Sequence, residues 1–495
     1  MVGRGRAAVV GVTAAAVALG AGELIAVLTD PSSGPVVAVG GWIIDHVPES
    51  GKELAITLFG TYDKVALQIG TVLILGAIAA VLGIAARRRI AVGLGGVAVF
   101  GAVGALAAVN RPNATGVWAV PSLVGAALAM LLLHRALAVI AAAPQPQDRR
   151  RFLWITGVGL AAAGLAGGLG RVLTQRPGTT EVARKAVDLP MPISSAGPVP
   201  ENAMPGYVTP NDTFYRVDTA LVVPKLDPKQ WRLRVFGMVE QEFSISYAEL
   251  LAMPMIERYV TLSCVSNDVG GKLVGNARWL GVPVKDVLAR AKPRKGADQV
   301  VSRSSDGWTC GTPTAALMDG RDALLAIAMN GEPLPLEHGF PVRMVVPGLY
   351  GYVSACKWVV EWEVTTFKAF DAYWIPRGWA QQAPIKTMSR IDTPDGRKKQ
   401  KPGEIMIAGV AWAQQRGIDK VEVKIDDEPW REAELLGVVS IDTWRQWKLS
   451  WQATPGEHTL VVRATDRSGK LQIEKVEYLA DDGATGWHTV KVSVV

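Results

Sequence analysis

Three folds in series are predicted for this chain: an N-terminal α-helical transmembrane bundle of about five spans, an α+β domain, and a C-terminal all-β domain of immunoglobulin-like sandwich type. Two observations carry the division. Residues 1–175 are nearly all Ala, Val, Gly, Leu and Ile, whereas residues 200–495 have the mixed composition of a soluble protein. Within that second half, helical and strand patterns alternate up to residue 380 and short strands with turn signals follow. The boundaries are 1–175 for the membrane part, 176–205 for a Pro-, Ser-, Gly- and Thr-rich linker, 206–380 for the α+β domain and 383–495 for the sandwich.

A spanning helix needs roughly 20 apolar residues. Segments 7–29, 66–86, 90–109, 118–142 and 152–171 meet that length, while 36–44 is apolar but too short and reads as a reentrant or interfacial piece. Arg4 and Arg6 precede the first span, Arg87–Arg89 separate the second from the third, and Arg149–Arg151 separate the fourth from the fifth. Positive charge stays in the cytoplasm. The N-terminus is therefore expected inside, with the 30–65 loop and everything after residue 171 outside. Arg149-Arg150-Arg151-Phe152-Leu153 before an Ala/Gly-rich span resembles a twin-arginine export signal, which suits a domain exported folded. His134 is the one histidine inside a span, so no bis-histidine haem is expected, and an anchoring role is favoured.

The formal net charge of +7 is spread without a basic run longer than three residues, which argues against a nucleic-acid surface. Three cysteines, Cys264, Cys310 and Cys356, with no C-x-x-C pair, exclude a disulfide framework and argue against a zinc ribbon or an iron–sulfur cluster.

In the α+β domain, strands are expected at 231–236, 258–263, 343–346 and 358–365, and helices at 247–253 and 284–291. In the sandwich, strands are expected at 405–411, 421–425, 460–464 and 490–494.

Two segments carry the chemistry. Thr261–Gly271 reads TLSCVSNDVGG: a strand ending at Cys264 and a polar, Gly-rich loop, which leaves the thiol partly reachable. Soft thiolates suit transition metals, although a lone cysteine is commonly a small buried hydrophobe. Ala328–Trp358 reads AMNGEPLPLEHGFPVRMVVPGLYGYVSACKW. It joins an Asn330-Gly331 turn, His338, Arg343 and a Gly-rich loop ending in Lys357, a set suited to an anionic cofactor.

Both segments resemble the sulfite oxidase family of molybdopterin enzymes, a likeness running over residues 206–495. The resemblance implies a molybdopterin-binding domain of sulfite oxidase type and a dimerisation-type C-terminal domain, so that a homodimer is one expectation. It makes Cys264 the protein ligand of molybdenum and the catalytic centre. His338 and Arg343 match positions that hold the pterin and its phosphate. Ser354, Ala355 and Cys356 match a cofactor-contacting loop. There the Cys356 backbone keeps the contact, or Lys357 takes over the phosphate. Tyr215 and Arg216, in the Asp212–Val217 segment, fall at an early cofactor contact, and Ser305 and Asp306 are a weaker match of the same kind.

The departures bear on substrate. By the resemblance, sulfite oxidases carry an Arg a few residues after the metal cysteine, near where Val269 stands, a Tyr where Ile327 stands and an Arg where Val353 stands. A dianion needs fixed positive charge. A sulfoxide-type oxo donor or acceptor, small or protein-bound, is therefore expected over sulfite. Electrons would come from or go to a separate carrier, a membrane subunit or a quinone. The competing readings are sulfite oxidation proper and a silent membrane scaffold; retention of Cys264, His338 and Arg343 argues against the latter. A transporter is disfavoured because the spans lack paired ionisable residues.

Overall fold

A computed structural model describes residues 3–47, 51, 58, 63–112, 114–141, 146–175, 178–477 and 482–495. The chain divides into two compact units, residues 1–178 with 219–223, and residues 179–218 with 224–495.

The first unit is helical: α1 (Arg4–Thr29), α2 (Pro35–His46), α3 (Asp63–Ala86), α4 (Ile90–Val109), α5 (Val120–Ala141) and α6 (Pro146–Gln175). Among the described residues five helices are long and apolar enough to cross a membrane: α1, α3, α4, the segment 116–139 that covers most of α5, and α6. The short apolar stretch forms α2, of 12 residues. Arg87–Arg89 fall between α3 and α4, whereas Arg149–Arg151 lie inside the first turns of α6 rather than before it. α1 packs against α3, α5 and α6. Small residues let backbones approach closely: a Cβ on Gly83 would stand 2.3 Å from the Ala7 carbonyl oxygen.

The second unit begins with α7 (Thr179–Lys185) inside the stretch read as linker, held by an Arg184–Glu181 ion pair of 2.7 Å. Its α+β part holds β1 (Arg232–Gly237), β2 (Phe243–Ser246), α8 (Tyr247–Leu251), β3 (Ile256–Ser263), β4 (Val274–Pro283), α9 (Val284–Ala291), β5 (Gln299–Ser304), β6 (Thr309–Pro313), α10 (Thr314–Met318), β7 (Leu324–Met329), β8 (Glu332–Pro333), β9 (Arg343–Val345), α11 (Gly351–Ser354) and β10 (Val359–Thr365). α8 starts where a capping box forms. The Glu249 amide donates to the Ser246 hydroxyl at 3.2 Å, and the Ser246 amide donates to the Glu249 carboxylate at 2.7 Å. One sheet runs β2-β1-β10-β5-β6 and the other β3-β4-β7-β8, with β9 added to β7. β3 and β4 are antiparallel, pairing Ser263 with Val274, so the intervening segment closes a loop at the sheet's end.

Beyond residue 383 the chain is β-rich. β11 (Met388–Thr393), β12 (Gly403–Trp412), β13 (Ile418–Ile425), β14 (Arg431–Glu432), β15 (Glu434–Leu435), β16 (Arg445–Ala453), β17 (Gly456–Asp466) and β18 (His488–Val494) form two four-stranded sheets, β11-β12-β16-β15 and β14-β13-β17-β18. Both supply one buried cluster that includes Ile407, Val421, Trp447 and Leu460. Alternation of apolar and polar residues along β13 and β18 places one side of each strand in that core.

Candidate active site

Cys264 is the first residue after β3. Its amide donates to the Leu273 carbonyl at 2.9 Å, the Leu273 amide donates to the Asn267 side chain at 2.7 Å, and the Asn267 amide donates to the Cys264 carbonyl at 3.2 Å. These bonds tie the loop over the sulfur. The thiol is consequently buried, with the residue 8% exposed, and not partly reachable as the strand-end position suggested. Burial raises its pKa, opposed by the Ser266 amide and hydroxyl and the Val265 amide.

The distant segment returns to the same region. His338 closes a short 3₁₀ turn after Pro335 and is buried; its Nε2–H donates to the Asn211 carbonyl at 3.0 Å. Burial lowers the imidazole to about 4, and Arg343 adds to the effect, so it is neutral at pH 7. Arg343 opens β9 and is 5% exposed. Its Nη1 donates to the His338 carbonyl at 3.2 Å, its Nε donates to the Met344 carbonyl at 3.3 Å, and its guanidinium lies 5.0 Å from the Trp279 ring centre. Burial lowers Arg343 to about 10. Tyr215 stacks on Phe214, and Phe214 meets His338 edge-on. Burial raises the Tyr215 phenol, the neighbouring Cys264 adds to the rise and Arg343 opposes it. Half-buried Tyr215 and buried Cys264 and Arg343 thus share one neighbourhood.

Arg216 and Lys357 meet at a residue that the sequence reading passed over. Asp218 accepts from Arg216 Nε at 2.8 Å and from Lys357 Nζ at 2.6 Å. The Lys357 ammonium also donates to the Glu337 carbonyl at 3.1 Å. Burial lowers Lys357 to about 8 while Asp218 opposes it. The Arg216-x-Asp218 spacing was the available signal, since alternate residues of an extended segment share a face.

The remaining residues divide. The Ser305 amide donates to the Trp358 carbonyl at 2.9 Å, which joins it to the residue after Lys357. Ser354 is buried in α11, and its hydroxyl is shared between the Leu349 and Tyr350 carbonyls at 3.0 and 2.9 Å. Ala355 caps α11. Cys356 is fully buried, its thiol pushed well up by burial and by Cys310. Asp212 is exposed in the turn after Pro210 and makes no side-chain hydrogen bond among the described residues, so no contact joins it to the rest.

A second residue that the sequence does not mark is His488. It reaches the Cys264 loop from β18. Gly270 adopts φ +74°, and a Cβ there would lie 2.2 Å from His488 Nε2. The Ile391 amide donates to His488 Nδ1 at 3.0 Å, and Arg390 Nη1 donates to the Gly271 carbonyl at 2.8 Å. No local pattern marks a contact between segments so far apart in sequence.

Comparison with known proteins identifies the family of this domain. Residues 220–374 match the model of the oxidoreductase molybdopterin binding domain. The chain is 33% identical to mitochondrial sulfite oxidase of Mus musculus over 355 residues, 61% of this chain and 64% of that one. It is 30% identical to sulfite oxidase of Gallus gallus over 349 residues, 59% of this chain and 75% of that one. The crystal structure of the sulfane dehydrogenase SoxCD from Paracoccus pantotrophus aligns with a TM-score of 0.51 at 22% identity, covering 59% of this chain and 85% of that one, a likeness of fold. The chain belongs to the sulfite oxidase family of molybdopterin-dependent oxidoreductases. It spans just under two thirds of the mouse enzyme's length.

The residues present fit an anionic cofactor. Arg343 is buried with no carboxylate partner among the described residues. An uncompensated buried guanidinium is costly, and a phosphate supplies the missing charge with matching geometry. Lys357, pre-positioned by Asp218, stands in the same loop region.

Proposed function

We propose that the chain is a membrane-anchored oxidoreductase that transfers an oxygen atom to or from a weakly charged substrate of sulfoxide type, at a molybdenum centre held by Cys264. When bound, the molybdenum–molybdopterin cofactor supplies the two-electron oxygen-atom transfer. Cys264 supplies the thiolate ligand. Arg343 compensates the phosphate, His338 donates its Nε2–H to the Asn211 carbonyl and so fixes the backbone there, and Asp218 sets Lys357 and Arg216 in place.

The observation that carries the substrate class is the allocation of positive charge. Arg216 and Lys357 are paired with Asp218, and buried Arg343 serves the cofactor's phosphate. Ile327 and Val353 are 0% and 1% exposed, and Val269 packs half-buried against the same core. None of those three positions offers a cation to a sulfite dianion, whose desolvation would go uncompensated. Sulfite oxidation is the second reading, favoured by the likeness to sulfite oxidases. Steady-state turnover of the purified full chain with a viologen or dye decides. A kcat/KM for sulfoxides well above that for sulfite is expected, and sulfite turnover rivalling it overturns the reading.

The five apolar helices and the arginine distribution support a multi-pass anchor with the N-terminus cytoplasmic and the catalytic unit extracytoplasmic, exported through the twin-arginine-like segment. The two facing sheets after residue 383 support an immunoglobulin-like domain. Protease accessibility of residues 224–495 from outside intact cells tests the orientation.

A further inference from the structure

The loop after Cys264 is braced by β11 and β18, through Arg390 on Gly271 and His488 on Gly270. Those strands continue into a basic surface. β11 leads into the turn 394–402, where Arg397, Lys398, Lys399 and Lys401 are all exposed. The turn lies along β18. A Cβ on Gly396 would stand 2.4 Å from the Lys491 carbonyl oxygen, and the Gln400 amide donates to the Ser493 carbonyl at 2.8 Å. A strand advances about 3.3 Å per residue, so exposed Lys491 stands roughly 10 Å along β18 from His488. Exposed Lys272 adds to this surface from the Cys264 loop itself.

Exposed Glu457, opposite Ser493 on β17, offsets one of these charges, and the other acids nearby do not cancel the rest. Asp395 pairs with Arg397 at 2.9 Å, and Asp392 pairs with Arg390 at 2.6 Å. Asp268 is exposed nearby. Lys399, Lys401, Lys491 and Lys272 form no ion pair among the described residues, and Lys398 contributes only to the field at Asp395. Like charges crowded on one turn repel, a cost that a binding partner of opposite sign relieves.

We infer that this surface, made of Lys272, Arg397, Lys398, Lys399, Lys401 and Lys491, docks a small acidic electron-transfer protein. The inference rests on the proposed reaction, which moves two electrons per oxygen atom and returns them through a second redox molecule. A carrier seated here lies against the elements that brace the Cys264 loop. A lipid surface is the competing occupant. Segment 394–402 reads PDGRKKQKP, without the large apolar side chains that seat an interfacial helix, so lipid would be held by charge alone.

The test uses the purified full chain and the variant K398E/K399E/K401E, with an acidic flavodoxin, a basic cytochrome c and vesicles of anionic phosphatidylglycerol as probes. Binding is read by calorimetry at low and physiological salt, and turnover is read separately with a neutral dye. The wild type is expected to bind the flavodoxin salt-sensitively and the variant about tenfold or more weakly, with neutral-dye turnover unchanged. Equal binding by both proteins, preference for the basic cytochrome, or loss of vesicle binding in the variant without flavodoxin binding by the wild type would overturn the inference. Absence of turnover with every dye would refute the proposed reaction, while the binding arm still reports on the surface.

Discussion

The Lys357 ammonium lies 2.6 Å from the Asp218 carboxylate, and both groups are nearly out of solvent, at 10% and 5% side-chain exposure. Removing one partner of a buried pair strands the other. Asp218→Asn is therefore expected to lower stability by about 3 kcal/mol. It also drives Lys357 further below its present value of about 8. Thermal unfolding of the full chain reads the loss, and pterin content of the purified protein should fall with it. Asp218→Asn combined with Lys357→Met should recover most of the stability but not the cofactor.

Cys264→Ser replaces a soft ligand by a hard one of similar size. The fold should persist, because the Cys264 backbone ties the loop to Leu273 and Asn267, and a serine hydroxyl can accept the contacts that Ser266 and Val265 make to the sulfur. Bound molybdenum, measured by elemental analysis, should drop by more than the ~10-fold that outer-shell changes cost metal sites. Retention of stoichiometric metal would remove Cys264 from the role given to it.

Gly270→Ala meets two obstacles. Its φ of +74° disfavours a side chain, and the new Cβ would collide with His488. A loss of more than ~1 kcal/mol is expected. His488→Ala in the same background should relieve the collision but not the backbone strain. Partial rescue of turnover, measured with the dye assay, is the expected signature.

Acid sensitivity should centre on Asp466, whose side chain is fully buried. Burial alone would raise its pKa, but hydrogen bonds from Ser468, Arg416 and Thr387 bring it down to about 2. A depressed carboxylate contributes its stability above its unfolded value near 3.9 and loses it as pH falls through the folded value. The wild type should lose on the order of 2 kcal/mol between pH 4 and pH 2, and Asp466→Asn should be flatter over that window. Equal slopes in chemical denaturation of the two proteins would contradict this.

Local periodicity made much of the architecture legible. Val284–Ala291 is a helix because Val284, Val287, Leu288 and Ala291 fall on one buried face. The strand ending before Cys264 was visible in its β-branched run. Arg343 stood out as a charge in an apolar segment. Asp218 and His488 did not stand out. Their partners are distant in sequence, and an acid on an extended stretch or a histidine on a strand has many commonplace uses. The burial of Cys264 was hidden for the same reason, since it depends on how the loop closes upon Leu273 and Asn267.

The contact between His488 and Gly270 also sets an order of events during synthesis. A growing chain can pair β3 with β4 as soon as both exist, but the loop between them lacks its brace until residue 488 has been made. Contacts so far apart in sequence form late, after the long intervening segment has collapsed. The loop that carries Cys264 is therefore completed only when β18 has taken its place beside β17.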